Sequence, residues 1–164
     1  MKIAVIADTH NNWANLKKAI DWINGEKIEL ILHCGDIQSQ DTIDDAKKLF
    51  DGEIKFVKGN ADYDLSYLPE KADLELGGKK IAFTHFPEIA KKLAQSGEFD
   101  LVFYGHTHRA WDEKVATHPK FGKNTEKETH MINPGELAGQ FHKPTFAVYD
   151  TQTGELQLKI LEKL

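Results

Sequence analysis

Short apolar runs alternate with segments of helical spacing through the first two thirds of this chain, and that alternation constrains the fold more than any other feature. The runs cover residues 2–7, 28–33, 53–57, 80–84 and 100–104, are rich in Ile, Val, Leu and Phe, and read as buried strands. Between the first two, Trp13, Leu16, Ile20 and Ile23 fall on one helical face, preceded by the capping residues Asn11 and Asn12 and stopped at Asn24-Gly25. A second helix is predicted from Asp41 to Phe50, ending at Gly52. A third is predicted from Pro87, where a missing N–H is harmless, to a stop at Gly97. Strands that alternate with helices run parallel through right-handed crossovers, which predicts that their carboxyl ends share one edge of a sheet.

Each run also closes on residues that can bind a metal: Asp8-Thr9-His10, Gly35-Asp36, Gly59-Asn60, His85, and Gly105-His106-Thr107-His108. Taken singly these motifs are weak, because a Gly-Asp or Gly-Asn pair is commonly just a turn. Their order at successive strand ends carries the signal. Open α/β sheets bind ligands beyond the carboxyl ends of their strands, so sequence order and fold rule point to one crevice.

The set comprises two carboxylates (Asp8, Asp36), one amide (Asn60) and four imidazoles (His10, His85, His106, His108). It exceeds the four ligands of a tetrahedral zinc site and is too rich in nitrogen for calcium or magnesium alone. Such donors suit two divalent ions, manganese or nickel first, with iron, zinc or cobalt also compatible, and a carboxylate can bridge them. In centres of this kind the ions lie roughly 3.5–4 Å apart, share a bridging water and clamp the attacking and leaving oxygens of a displacement at phosphorus. Two such ions bring four positive charges, of which two aspartates and a bridging hydroxide remove three. The single charge left over matches a phosphodiester monoanion. A monoester dianion wants a further cation, which Arg109 beside His108 can supply.

The order D-x-H, G-D, G-N, H, G-H-x-H resembles that of the calcineurin-like metallophosphoesterase superfamily, in particular its small, cap-less phosphodiesterases from bacteria and archaea. The likeness runs from Asp8 to His108 and extends to the Asn133-Pro134-Gly135 turn. It implies that Asp8, His10 and His108 hold a first metal, that Asn60, His85 and His106 hold a second, and that Asp36 bridges them. Asp36, Asn60 and His85 are read as the catalytic members of the set.

One departure stands out. Many family members carry G-N-H followed by an acid, the His donating a proton to the leaving oxygen or contacting the phosphoryl group, whereas here the segment is Gly59-Asn60-Ala61-Asp62. General acid help is worth roughly a hundredfold or more, so the chain is expected to favour good leaving groups or to recruit another acid. His130, just upstream of Asn133-Pro134-Gly135, is the first candidate for that acid, and His142 a weaker one. Arg109 and His130 are the candidate substrate-binding residues. Asp62 is expected only to cap the turn into Tyr63. His33 reads as a buried histidine orienting the ligand loop, Cys34 as a small buried hydrophobe, and His118 with Lys120 and Lys123 as a solvated hairpin tip. Trp13 is expected to anchor the first helix in the core; Trp111 either lines the crevice or packs in a second sheet.

A chain of 164 residues supports one domain, residues 1–164, with a sizeable core and no room for a large cap. Alternating stretches at 127–132, 145–150 and 155–161, with a hairpin turn at 151–154, predict a second sheet packed face to face on the first. The expected architecture is therefore a four-layer α/β/β/α sandwich of two mixed β-sheets flanked by helices, which the family resemblance also implies. A net charge of -5, from 21 basic and 26 acidic residues, opposes a general affinity for long nucleic acids. A lone cysteine allows no internal disulfide. The apolar run before Asp8 is too short for a signal peptide or membrane span, so no membrane association and a cytoplasmic location are expected. Oligomeric state is open, a homodimer being one option.

The leading function is hydrolysis of a small phosphodiester by in-line attack of a metal-bridging hydroxide. A phosphomonoesterase is the alternative within the same enzyme class. A non-catalytic scaffold is the other alternative, because the same fold serves a retromer subunit as an interaction platform. Loss of ligands would mark that fate, and here all seven are present.

Overall fold

The computed structural model describes residues 1–121 and 126–164, so Lys123 of the expected hairpin tip lies outside the described residues. The first half contains strands β1 (Lys2–Ile6), β2 (Leu30–His33) and β3 (Glu53–Phe56) and helices α1 (Trp13–Gly25) and α2 (Gln40–Leu49). There follow β4 (Lys71–Leu76), β5 (Lys79–Thr84), α3 (Pro87–Gln95), β6 (Leu101–Phe103), β7 (Trp111–Ala116), β8 (Glu128–Asn133), β9 (Thr145–Asp150) and β10 (Leu156–Ile160).

The strands build two mixed sheets, in the orders β10-β9-β1-β2-β3 and β4-β5-β6-β8-β7. In the first, β1, β2 and β3 are parallel, with β9 antiparallel on β1 and β10 on β9. In the second, β5, β6 and β8 are parallel, and β4 and β7 close the two edges antiparallel. Contrary to what the strand–helix alternation predicts, the runs that carry the candidate ligands do not share one sheet edge: three end in the first sheet and two in the second. Nor do the late strands form a sheet of their own. β7 and β8 complete the second sheet, while β9 and β10 complete the first.

Two features of the sequence account for this. In β1, Ile3, Ala4 and Val5 are all fully buried, so the strand needs a neighbour on each side and a layer on each face, and β9 supplies the missing neighbour. The strand β4, which a reading of apolar runs passes over, alternates Lys71, Asp73 and Glu75 with Ala72, Leu74 and Leu76. Its apolar set packs on the inter-sheet core and its charged set faces out. That pattern makes β4 an edge strand and gives β5 an antiparallel partner, so β5 opens a new sheet instead of extending β3.

Between the sheets lies one core that includes Val5, Leu32, Val57, Phe83, Phe103 and Ile132. Helices α1 and α2 cover the outer face of the first sheet, with Leu16, Ile20 and Ile23 packed among Ile6, Ile31 and Phe146. Helix α3 covers the second through Ala90 and Ala94 against Val102 and Met131. The result is the four-layer α/β/β/α sandwich. Asn12 and Ser39 cap α1 and α2 by accepting the Asn15 and Thr42 amides, and Pro87 opens α3. Trp13 does not join the core: it is 38% exposed, and the buried stripe of α1 begins only at Leu16. The first turn of α1 instead docks on a polar loop, with Asn12 and Asn15 donating to the Ala138 and Leu137 carbonyls. No helix among the described residues is long and apolar enough to cross a membrane.

Candidate metal centre

The loops that leave the strand ends are strained. Asp8, His10, Asn11, Asp36, Gln38, His106 and His108 all have positive φ, and among the described residues Lys27 is the one other non-glycine that does. Such backbone is unfavourable for L-residues and persists where surrounding bonds over-determine it. Here Asp8 N donates to Gly35 O (3.0 Å), His10 N to Asp36 O (2.9 Å) and Gly105 N to His85 O (3.2 Å). Gly59 permits the closest approach, since a Cβ there would stand 2.1 Å from Asp36 Oδ1.

These loops gather the expected ligands into two adjoining groups. Ligand atoms of Asp8, His10, Asp36 and His108 all lie within 4.8 Å of one another. Beside them, Asn60 Oδ1 lies 3.0 Å from His85 Nε2 and 2.8 Å from His106 Nδ1, which is itself 3.2 Å from His85 Nε2. Asp36 Oδ2 joins the groups: it lies 3.5 Å from His10 Nε2 and 3.5 Å from His85 Nε2. Its other oxygen, Oδ1, is fixed by the Ala61 amide at 2.8 Å. Position 61 thus contributes through its backbone, whatever its side chain lacks.

The residues behind the cluster set its geometry. Asp62 is buried and accepts the amides of Asp36 (2.9 Å), Ile37 (2.7 Å), Gln38 (2.6 Å) and Gly59 (2.7 Å), so it organises the Asp36 loop rather than merely capping a turn. His33 accepts the Gly35 amide at Nδ1, which leaves Nε2 to donate to Thr9 Oγ1 (2.8 Å). Burial holds its pKa down to about 4, so it is a neutral strut. Asn133 donates to Gly105 O and Thr107 Oγ1 and steadies the loop that carries His106 and His108. Glu136 is fully buried, accepts the amides of Gln140, Phe141 and His142, and lies 3.0 Å from His108 Nδ1. Burial alone would raise its pKa, but the three amides and His108 outweigh it and hold the carboxyl below the ordinary value. Sequence reasoning passes over Glu136, although its place one residue after Asn133-Pro134-Gly135 is a signal that could have found it.

Not every expected residue arrives at the cluster. His130 lies three residues before Asn133 on β8, hence about 10 Å up the strand and on the opposite face. There its Nε2 bonds Asp112 Oδ2 at 2.8 Å and its ring faces Tyr149, so it is neither the substitute acid nor a substrate contact. Arg109 is exposed and lies over the ring of Trp111, 5.7 Å from its centroid. Trp111 is itself 53% exposed on β7 and does not pack in the core.

The electrostatics call for a cation. His85 Nδ1 donates to Cys34 O, and His108 Nδ1 donates to Glu136, so both Nε2 atoms present lone pairs. The His85 lone pair stands beside Asn60 Oδ1, Asp36 Oδ2 and His106 Nδ1, and that of His108 lies 3.4 Å from Asp8 Oδ1, so carboxylate and amide oxygens crowd both. Asp8, Asp36, Asp62 and Glu136 are all buried, and no lysine or arginine pairs with any of them among the described residues. Burial, reinforced by Asp36, lifts the Asp8 carboxyl to about 8. The donor set fits a divalent metal, which removes each of these conflicts.

Two expectations follow. Glu136→Gln removes the charge that orients His108, and should weaken metal binding roughly 10–100-fold in isothermal titration calorimetry without unfolding the chain. Metal affinity should also depend on pH. Because the Asp8 pKa is raised, the metal-free folded state keeps a proton that the unfolded chain gives up near pH 4, and its stability falls as pH climbs to about 8. Metal must displace that proton, so affinity should rise about tenfold per pH unit and level off above about 8. Burial keeps His10 and His85 below the ordinary imidazole value, so near neutrality they add little to the slope. Titrations in buffers of different ionisation enthalpy count the released proton.

An α/β/β/α sandwich with a histidine–aspartate cluster at its strand ends is the framework of a metallophosphoesterase. The sequence pattern of the Calcineurin-like phosphoesterase superfamily domain matches residues 1–154, and the chain belongs to that superfamily. It is 30% identical to the phosphodiesterase MJ0936 of Methanocaldococcus jannaschii, over 99% of this chain and 100% of that one. A solved structure of an archaeal phosphodiesterase has a TM-score of 0.84 at 28% identity, covering 98% of this chain and 99% of that one. A Vps29 of Entamoeba histolytica, solved in complex with zinc, shares the fold with a TM-score of 0.70 at 20% identity, covering 97% of each chain. Family and cluster together indicate use of a divalent metal.

Proposed function

We propose that residues 1–164 form one domain, a cytoplasmic phosphodiesterase with a two-metal centre that hydrolyses small phosphodiesters. In this reading Asp8, His10 and His108 hold one ion, Asn60, His85 and His106 the other, and Asp36 bridges them, with manganese or nickel the first metals to try. The observation that carries it is Asp36 Oδ2, which stands 3.5 Å from a histidine nitrogen of each donor group. Bound there, the ions supply an activated water for attack and positive charge against the phosphoryl oxygens. The residues of the chain fix where that happens: Cys34 O and Glu136 orient His85 and His108 from behind, and Ala61 N–H turns Asp36 so that Oδ2 faces both groups. The charge balance supports a diester. Glu136, held ionised one imidazole away from the centre, adds negative charge that opposes a dianionic monoester.

With alanine at position 61 and His130 turned away, the leaving oxygen departs without a histidine proton donor from either place. Aryl diesters should therefore be turned over well and dialkyl diesters poorly. The deciding assay is hydrolysis of bis-p-nitrophenyl phosphate by metal-stripped protein to which manganese or nickel is returned, beside p-nitrophenyl phosphate. Turnover that no metal restores would refute the enzyme reading. A preference for the monoester would refute the diester assignment.

A further inference from the structure

An apolar ring projects into water at the lip of the candidate metal centre. Phe141 is 75% exposed, yet its ring lies edge-to-face on His108 with centroids 5.1 Å apart. Its main chain is firmly held. Phe141 N donates to Glu136 Oε1 at 2.7 Å, and the amides on either side bond the same carboxylate that orients His108. Upstream, Leu137 N and Ala138 N donate to Ala7 O (3.0 Å) and Asp8 O (2.9 Å), which ties the segment to the β1 end. Across the cluster, half-buried Phe86 lies 5.2 Å from His85 and 6.3 Å from His106. An exposed aromatic ring held in a fixed place beside a reaction centre is a surface on which planar groups stack.

We propose that Phe141 is the platform for a planar ester arm, so that the substrate is a phosphodiester carrying an aryl group or nucleobase on at least one side. This rests on the phosphodiesterase reading above and narrows its substrate class. A phosphate placed beside His108 has the Phe141 ring next to it, and an arm without a ring leaves that surface uncovered. The Glu136 contacts come from the Phe141 backbone, so removing the side chain leaves the loop tied as before.

The test is calorimetric binding of phosphate monoesters to the manganese-loaded protein, with ribose 5-phosphate and methyl phosphate as ringless arms and AMP and phenyl phosphate as ringed ones. AMP should bind roughly tenfold tighter than ribose 5-phosphate, or phenyl phosphate roughly tenfold tighter than methyl phosphate, and which pair shows the gap tells base from aryl. Phe141→Ala should erase the gap and leave ringless phosphates and manganese bound as in wild type, whereas Phe141→Trp should keep it. Equal affinities within both pairs, or a gap that survives Phe141→Ala, overturn the platform alone. Failure of all four phosphates to bind to protein that holds manganese also overturns the platform alone, whereas failure of manganese itself to bind in the calorimeter overturns the metal-centre reading as well.

Discussion

Asp36→Asn is expected to lower turnover of bis-p-nitrophenyl phosphate by roughly a thousandfold or more, because a Lewis-acid metal is worth several kcal/mol and each ~1.4 kcal/mol is tenfold in rate. The wild-type carboxylate splits its two oxygens between tasks, Oδ1 taking the Ala61 amide and Oδ2 facing His10 and His85. An amide cannot do both. If its oxygen stays with Ala61, an NH2 group points at two imidazole nitrogens where positive charge belongs; if it flips, two N–H groups collide. Shape is preserved, so circular dichroism should not change, and metal content per chain should fall. Turnover within tenfold of wild type would remove Asp36 from the bridging role proposed for it.

The largest loss of stability is expected at Asp62. Four amides from two loops, three of them buried, converge on this one carboxylate. A hydrogen bond to a charged group contributes roughly 1.5–3 kcal/mol, and the four are not independent, so Asp62→Ala should cost about 3–5 kcal/mol. For a chain of this size that lowers Tm by roughly 10 °C. The same change frees the amides of Asp36, Ile37 and Gln38 and should weaken metal binding alongside. Added manganese should recover part of the lost Tm, since a ligand of the folded state stabilises it by mass action. A shift of less than about 2 °C would show that the positive φ values at Asp36 and Gln38 are maintained by something else.

The legible part of the site was local. A run such as residues 2–7 followed by Asp8-Thr9-His10 announces a buried strand and its ligands within one short window, and the same holds at Asp36, Asn60, His85 and His106. Strand parity, applied to β8, would also have turned His130 away from Asn133, because residues three apart point to opposite faces. Asp62 and Glu136 were harder. Asp62 accepts amides 24 to 26 residues before it, and Glu136 meets His108 across 28 residues, contacts that no window of sequence displays.

The sequence by itself determined most of the strands, the starts of two helices at Asn12 and Pro87, and the order of the candidate ligand residues, because apolar period, capping chemistry and turn residues act over a few positions. Only the tertiary structure decided which strands are neighbours. It set β4 beside β5 and β9 beside β1, and so split the ligand-bearing strands between two sheets whose ends converge on Asp36. Sheet pairing satisfies backbone groups with partners far along the chain, and the choice among partners rests on which faces must be buried together. The candidate metal centre is the consequence: its residues were written in order, but their meeting was decided by the packing of one sheet on the other.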